Sequence, residues 1–108
     1  MKILINLVGL AHHDVGNGMH SYKSVYANLF KNLVNPLKEN NQVDFTLKTY
    51  NTEMESDILS VYNPINSEFI GEQPAFDTYI QSVETLKEFD YDFFIVTRFD
   101  LDIKVPLN

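Results

Sequence analysis

The chain contains no cysteine and no tryptophan among its 108 residues. Without cysteine there is no disulfide framework, no thiolate zinc site and no catalytic thiol. Glycine and proline number four each, and no low-complexity tract, internal repeat or linker is visible. No apolar run approaches the roughly 18 residues of a membrane span, so no membrane span is expected. Basic residues are few: 8 Lys and Arg stand against 15 Asp and Glu, for a net charge of −7. A surface of that sign repels phosphate backbones, which argues against general nucleic-acid binding. A short apolar run follows a single Lys at the N-terminus, with no small-residue cleavage site. No signal peptide is read there, and the cytoplasm is the expected compartment. The remaining composition is that of a globular chain, 44% hydrophobic and 21% charged, and its length suits one domain over residues 1–108.

Periodicity supplies the elements. Lys2 to Leu10 (KILINLVGL) is short, almost wholly apolar and rich in branched side chains, as in a strand of a parallel sheet buried on both faces. A polar loop with glycines follows from Ala11 to His20. Tyr22, Val25, Tyr26, Leu29, Phe30, Leu33, Val34 and Leu37 then form one apolar stripe at helical spacing. Ser21 is the expected N-cap, and Pro36 predicts a kink or an end near Asn35. Val43 to Tyr50 (VDFTLKTY) alternates apolar and polar residues, as a strand does. A short helix is expected over Glu53 to Leu59 and a short strand over Ile65 to Ile70. Pro74 is placed as the first residue of a second long helix. The stripe Phe76, Tyr79, Ile80, Val83 and Leu86 is read as that helix's core face. After a turn at Asp90 to Asp92, Phe93 to Thr97 (FFIVT) reads as another buried strand. Alternation of this kind predicts an α/β layer with a mostly parallel sheet and right-handed crossovers. Only two good helices are available to cover it. The chain therefore reads as the first half of a larger unit, or as a subunit that buries its open sheet face in a partner.

Ligands of open α/β sheets gather at the carboxyl ends of the strands, near the point where strand order reverses. Three segments qualify: Gly9 to His20, Thr49 to Asn51, and Arg98 to Asp102. Arg98 is the only arginine in the chain. On a strand-like backbone Arg98, Asp100 and Asp102 project to one side. Two carboxylates offer hard oxygen ligands for Mg²⁺ or Mn²⁺, and a guanidinium binds phosphate oxygens. The plainer reading is an ion pair with solvated acids at a strand end. Asp90 and Asp92 repeat the D-x-D spacing and are read as a turn. In the first loop His12, His13, Asp14 and His20 match no metal-ligand spacing, and Gly16 and Gly18 match no phosphate-loop pattern. The loop is read as polar and metal-free. Lys23 is either a phosphate contact or a solvated lysine. No nucleophile motif is present. The aromatic residues Tyr22, Tyr26, Phe30, Phe76, Tyr79, Phe93 and Phe94 are read as core.

Taken together, ILINLVGL, SYKSVYANLFKNLVNPLKEN, VDFTLKTY and EFDYDFFIVTRFDLDIKVPL resemble the N-terminal half of small glycosyltransferase-like proteins of the nucleotide-sugar GT-A type, a group with microbial and viral members. The last segment is the most specific. It follows the pattern yDfxixtRfDlxfxxpl, and the second strand follows xDxFxxTY. The resemblance implies a three-layer α/β domain, the Rossmann-like nucleotide-binding half of a GT-A fold. It also implies binding of a nucleoside diphosphate sugar, with Mn²⁺ or Mg²⁺ held by Asp100 and Asp102. Arg98 stands where many relatives place the first acid of the D-x-D motif and is read as a donor contact. Gly9, Thr49 and Tyr50 end the strands that bracket the nucleotide pocket in that group. The acceptor site and any catalytic base come from a second half, so 108 residues alone would be incomplete or inactive as such an enzyme. The alternative reading is a non-catalytic α/β module that self-associates, for instance as a homodimer, through its open sheet face. A phosphatase-like or flavodoxin-like enzyme ranks last, because no acid directly follows the first strand.

Overall fold

The structure is a computed structural model and describes residues 1–15, 18–71 and 73–99, with the backbone alone at 12–15, 18–21 and 24. In chain order its strands are β1 (Lys2–Val8), β2 (His12–Val15), β3 (Gly18–Ser21), β4 (Gln42–Tyr50), β5 (Asn66–Ile70) and β6 (Phe93–Arg98). Its helices are α1 (Tyr26–Leu29), α2 (Asn35–Lys38), α3 (Glu55–Tyr62) and α4 (Ala75–Thr85). The main sheet runs β5-β4-β1-β6, and every pairing in it is parallel. This confirms the α/β class and sharpens the expected mostly parallel sheet to a main sheet that is all parallel among the described residues. No described helix is long and apolar enough to cross a membrane.

Register decides which residues share a face. Ile3, Ile5 and Leu7 align with Val43, Phe45 and Leu47 on one side and with Phe93, Ile95 and Thr97 on the other. Six of these residues, Ile3, Ile5, Leu7, Val43, Phe45 and Leu47, join one buried cluster with Leu29, Leu33, Val34, Ile58 and Tyr62. The segment 22–38 and α3 therefore cover this face. The opposite face carries Leu4, Asn6 and Val8 beside Asp44, Thr46 and Lys48, and α4 packs there on β1 and β4. The alternation seen in VDFTLKTY thus divides an oily face from a largely polar one.

Several local expectations are revised. Ala11 to His20 is not a plain loop: β2 and β3 pair antiparallel, with His13 opposite His20. Ser21 ends β3, and the N-cap position of α1 is Val25. The helix that follows β3 is a composite of a 3-10 turn (Tyr22–Ser24), α1, a π-helical turn (Phe30–Val34) and α2. Pro36 lies in the first turn of α2, where its missing N–H costs little. The wider π turn before it takes up the misfit, so the helix passes Asn35 and ends at Lys38. Pro74 is the N-cap of α4 rather than its first residue. The helix expected over Glu53 to Leu59 lies at Glu55–Tyr62 and closes at Asn63, which takes the left-handed conformation (φ 46°).

Two sets of aromatics expected in the core are outside it. Phe93 and Phe94, at the start of β6, are 56% and 40% exposed. The helices centre on β1 and β4 and leave this end of β6 uncovered. Phe76, Tyr79 and Ile80 of α4 are exposed as well, for a reason that the site makes clear. The turn at Asp90 to Asp92 is structural, as expected. Asp92 accepts a hydrogen bond from the Lys2 N–H (2.7 Å) and donates its own N–H to the Lys2 carbonyl (2.8 Å). Tyr91 donates to Asp44 (2.7 Å), with the Lys2 ammonium over its ring at 4.8 Å.

Candidate functional site

The sheet grows from β1 through β4 to β5, then crosses back to place β6 on the other side of β1. Strand order therefore reverses between β1 and β6, where Val8 and Arg98 are register partners. At such a point the connections from neighbouring strand ends diverge and open a crevice. Gly9 makes the exit possible. It takes φ +103°, a backbone conformation costly for any other residue, while its N–H holds the Lys48 carbonyl at 3.0 Å. The chain then turns away from the sheet, and a cavity of about 400 Å³ lies over the strand ends.

Val8, Gly9 and Leu10 form one wall of the cavity, and Tyr50 and Arg98 border it from the ends of β4 and β6. The first turns of α4 close the far side with Ala75, Phe76 and Tyr79. Arg98 is the one charged residue in this lining. Tyr50 is locked in place: its hydroxyl lies 2.8 Å from Thr78 Oγ1 and donates to the Gln73 carbonyl at 3.2 Å. The Gln73 amide donates in turn to Thr78 Oγ1 at 3.0 Å. A strand end and a helix start are thereby tied together beside the cavity.

The same chemistry explains the orientation of α4. Asn6 donates to Ser82 Oγ (2.7 Å) and accepts from Thr46 Oγ1 (2.9 Å), and all three residues are buried. The polar sheet face must be met by hydroxyls, because a buried polar group without a partner is costly. Thr78 and Ser82, one helical turn apart, supply them. Phe76, Tyr79 and Ile80 then point away from the strands, and the first two face the cavity. Sequence reasoning missed Ala75, Phe76 and Tyr79 as site residues by treating the apolar stripe as the inner one. The signal that identifies them is the polar alternation of β4, which demands a polar helix stripe opposite.

Of the residues expected at the site, Gly9, Tyr50 and Arg98 come together. Thr49 does not line the cavity: it is buried, and its Oγ1 accepts the Ala11 N–H at 3.2 Å. Lys23 is exposed in the 3-10 turn at 22–24 and also lies outside the lining. Asp100 and Asp102 lie outside the described residues. Among the described residues no group of three or more His, Asp or Glu is gathered to hold a metal ion.

The perturbed ionisable groups lie elsewhere. Burial, with the Asp57 carboxylate that accepts its hydrogen bond, raises the Tyr22 phenol well above its usual range. Burial first, then the nearby Tyr22, does the same for Tyr62. Tyr91 is pushed up to about 12 by burial and then by its bond to Asp44. All three stay neutral phenols at ordinary pH, so none acts as a base.

Comparison of the chain with family models, with curated proteins and with solved structures gives no match. Fold and cavity together define an α/β protein of Rossmann-like sheet order, with its candidate ligand cleft at the reversal between β1 and β6.

Proposed function

We propose that the chain binds a nucleoside diphosphate sugar at the β1–β6 crevice, as the donor-binding half of a glycosyltransferase-like protein of GT-A type. One observation carries the reading. The cavity at the reversal of strand order gathers Gly9, Tyr50 and Arg98, three residues that the sequence resemblance places at a nucleotide pocket. Apolar walls with a few placed polar groups are the usual construction of a small-molecule site. The guanidinium of Arg98 suits a phosphate, which it binds through two parallel N–H groups. The resemblance also implies Mn²⁺ or Mg²⁺ on Asp100 and Asp102. The described residues supply no ligand set of their own for it, so the reading uses only what Gly9, Tyr50 and Arg98 do.

Calorimetric titration with UDP and GDP, each with and without Mn²⁺, tests the reading. Millimolar or tighter binding that weakens about tenfold or more in Arg98→Met supports it, since hydrogen bonds to charged groups carry about 1.5–3 kcal/mol. Silence toward both nucleotides overturns it. A separate observation favours a second property, association between copies. Phe93 and Phe94 occupy opposite faces of β6 and are both exposed, leaving apolar area on each side of the sheet. Light scattering that finds a monomer over a wide concentration range would remove this second reading.

A further inference from the structure

α4 is an amphipathic helix packed with its polar stripe inward. Thr78 and Ser82 are buried on the sheet, while Phe76 is 72% and Tyr79 46% exposed. Residues three apart on a helix lie on one face, so both rings line the cavity from the same side of α4. Single exposed apolar residues are ordinary. Here two aromatics border the same cavity, and that cavity's one charged lining residue is Arg98. Aromatic walls with a cation at one side fit a ligand that has a flat ring at one end and an anion at the other. A nucleotide has both, and a sugar phosphate has only the anion. The volume, about 400 Å³, lies toward the low end of the roughly 300–1,000 Å³ of ligand pockets.

We propose that Phe76 and Tyr79 form a ring clamp that stacks on the nucleobase, leaving Arg98 to the phosphates. The proposal rests on the nucleotide reading above and adds to it which residues hold the base. Stacking requires a π face but no particular hydrogen-bond pattern. The clamp therefore contributes affinity for a base in general and leaves the choice among bases to other groups.

The test titrates the chain with UDP, GDP, ribose 5-phosphate and inorganic pyrophosphate. The expected result is that UDP or GDP binds at least about tenfold tighter than ribose 5-phosphate, the order that base–aromatic stacking supplies. In Phe76→Leu/Tyr79→Leu, which keeps apolar bulk and removes both rings, that advantage disappears while ribose 5-phosphate binds as before. Tyr79→Phe keeps the ring and keeps the affinity. Both positions are exposed, so circular dichroism of the variants should be unchanged. The single leucine variants serve if the double one misfolds. Equal binding of nucleotide and ribose 5-phosphate, or an advantage that survives loss of both rings, overturns the clamp but leaves a phosphate site standing. Silence toward all four compounds overturns the nucleotide reading and the clamp with it.

Discussion

The two faces of the sheet are built from different chemistry. On one, Ile5, Leu7, Phe45 and Leu47 meet Val34, Ile58 and Tyr62, with aromatic contacts from Phe30 to Phe45 and Tyr62 at 5.6 and 6.0 Å. On the other, Asn6, Thr46 and Ser82 hold one another by hydrogen bonds. The oily face supplies stability, because apolar burial is favourable and non-directional. The polar face contributes less net energy but fixes direction, since a hydrogen bond tolerates little displacement. It sets which side of α4 faces the strands, and so places Phe76 and Tyr79 at the cavity.

Substitutions on each face break this contrast to different extents. Ile5→Ala, which empties a fully buried position on the oily face, should cost about 2–5 kcal/mol in urea unfolding. Asn6→Ala leaves the Thr46 and Ser82 hydroxyls unpaired and should cost about 1–3 kcal/mol. Unlike Ile5→Ala, it should also weaken nucleotide binding in protein that remains folded, because α4 loses its register. Gly9→Ala meets no atom within 4 Å, yet the φ of +103° strains it. A loss of about 1 kcal/mol is expected, and a neutral result would show that the strand exit can rearrange.

Tyr62→Phe sharpens the comparison from the other side. The Tyr62 hydroxyl is buried without a partner among the described residues, a polar defect on the oily face. Its removal should raise stability by about 1 kcal/mol, seen as a higher urea midpoint. The smallest effect belongs to Tyr91. Its phenol rises from 10.0 to about 12 on folding, so the contribution is full below pH 10 and is lost as pH climbs through 12. The difference in urea midpoint between the native chain and Tyr91→Phe should shrink over that interval. A constant difference would show that folding does not raise the Tyr91 phenol.

Much of this was legible in the sequence. The strands expected in Lys2 to Leu10, Val43 to Tyr50 and Phe93 to Thr97 lie at Lys2–Val8, Gln42–Tyr50 and Phe93–Arg98. Pro74 marks the start of α4 to within one residue. At the site, Gly9, Tyr50 and Arg98 were legible because strand ends can be located from local pattern alone. Thr49 was misplaced by a single position: on a strand, neighbours face opposite ways, and its side chain holds Ala11 instead. The pairing of His12–Val15 with Gly18–Ser21 was not legible, since a run of His, Asp and Gly carries no strand periodicity.

The sequence by itself determined the element types and the α/β class, because apolar period and turn chemistry are local properties. Only the tertiary structure decided the order β5-β4-β1-β6 and the way α4 faces. Hydrophobic periodicity reports that a helix has two sides but not which one is inner. That choice was made by Asn6 and Tyr50, distant in sequence, whose polar groups bond the Ser82 and Thr78 hydroxyls of α4 and turn its rings toward the crevice.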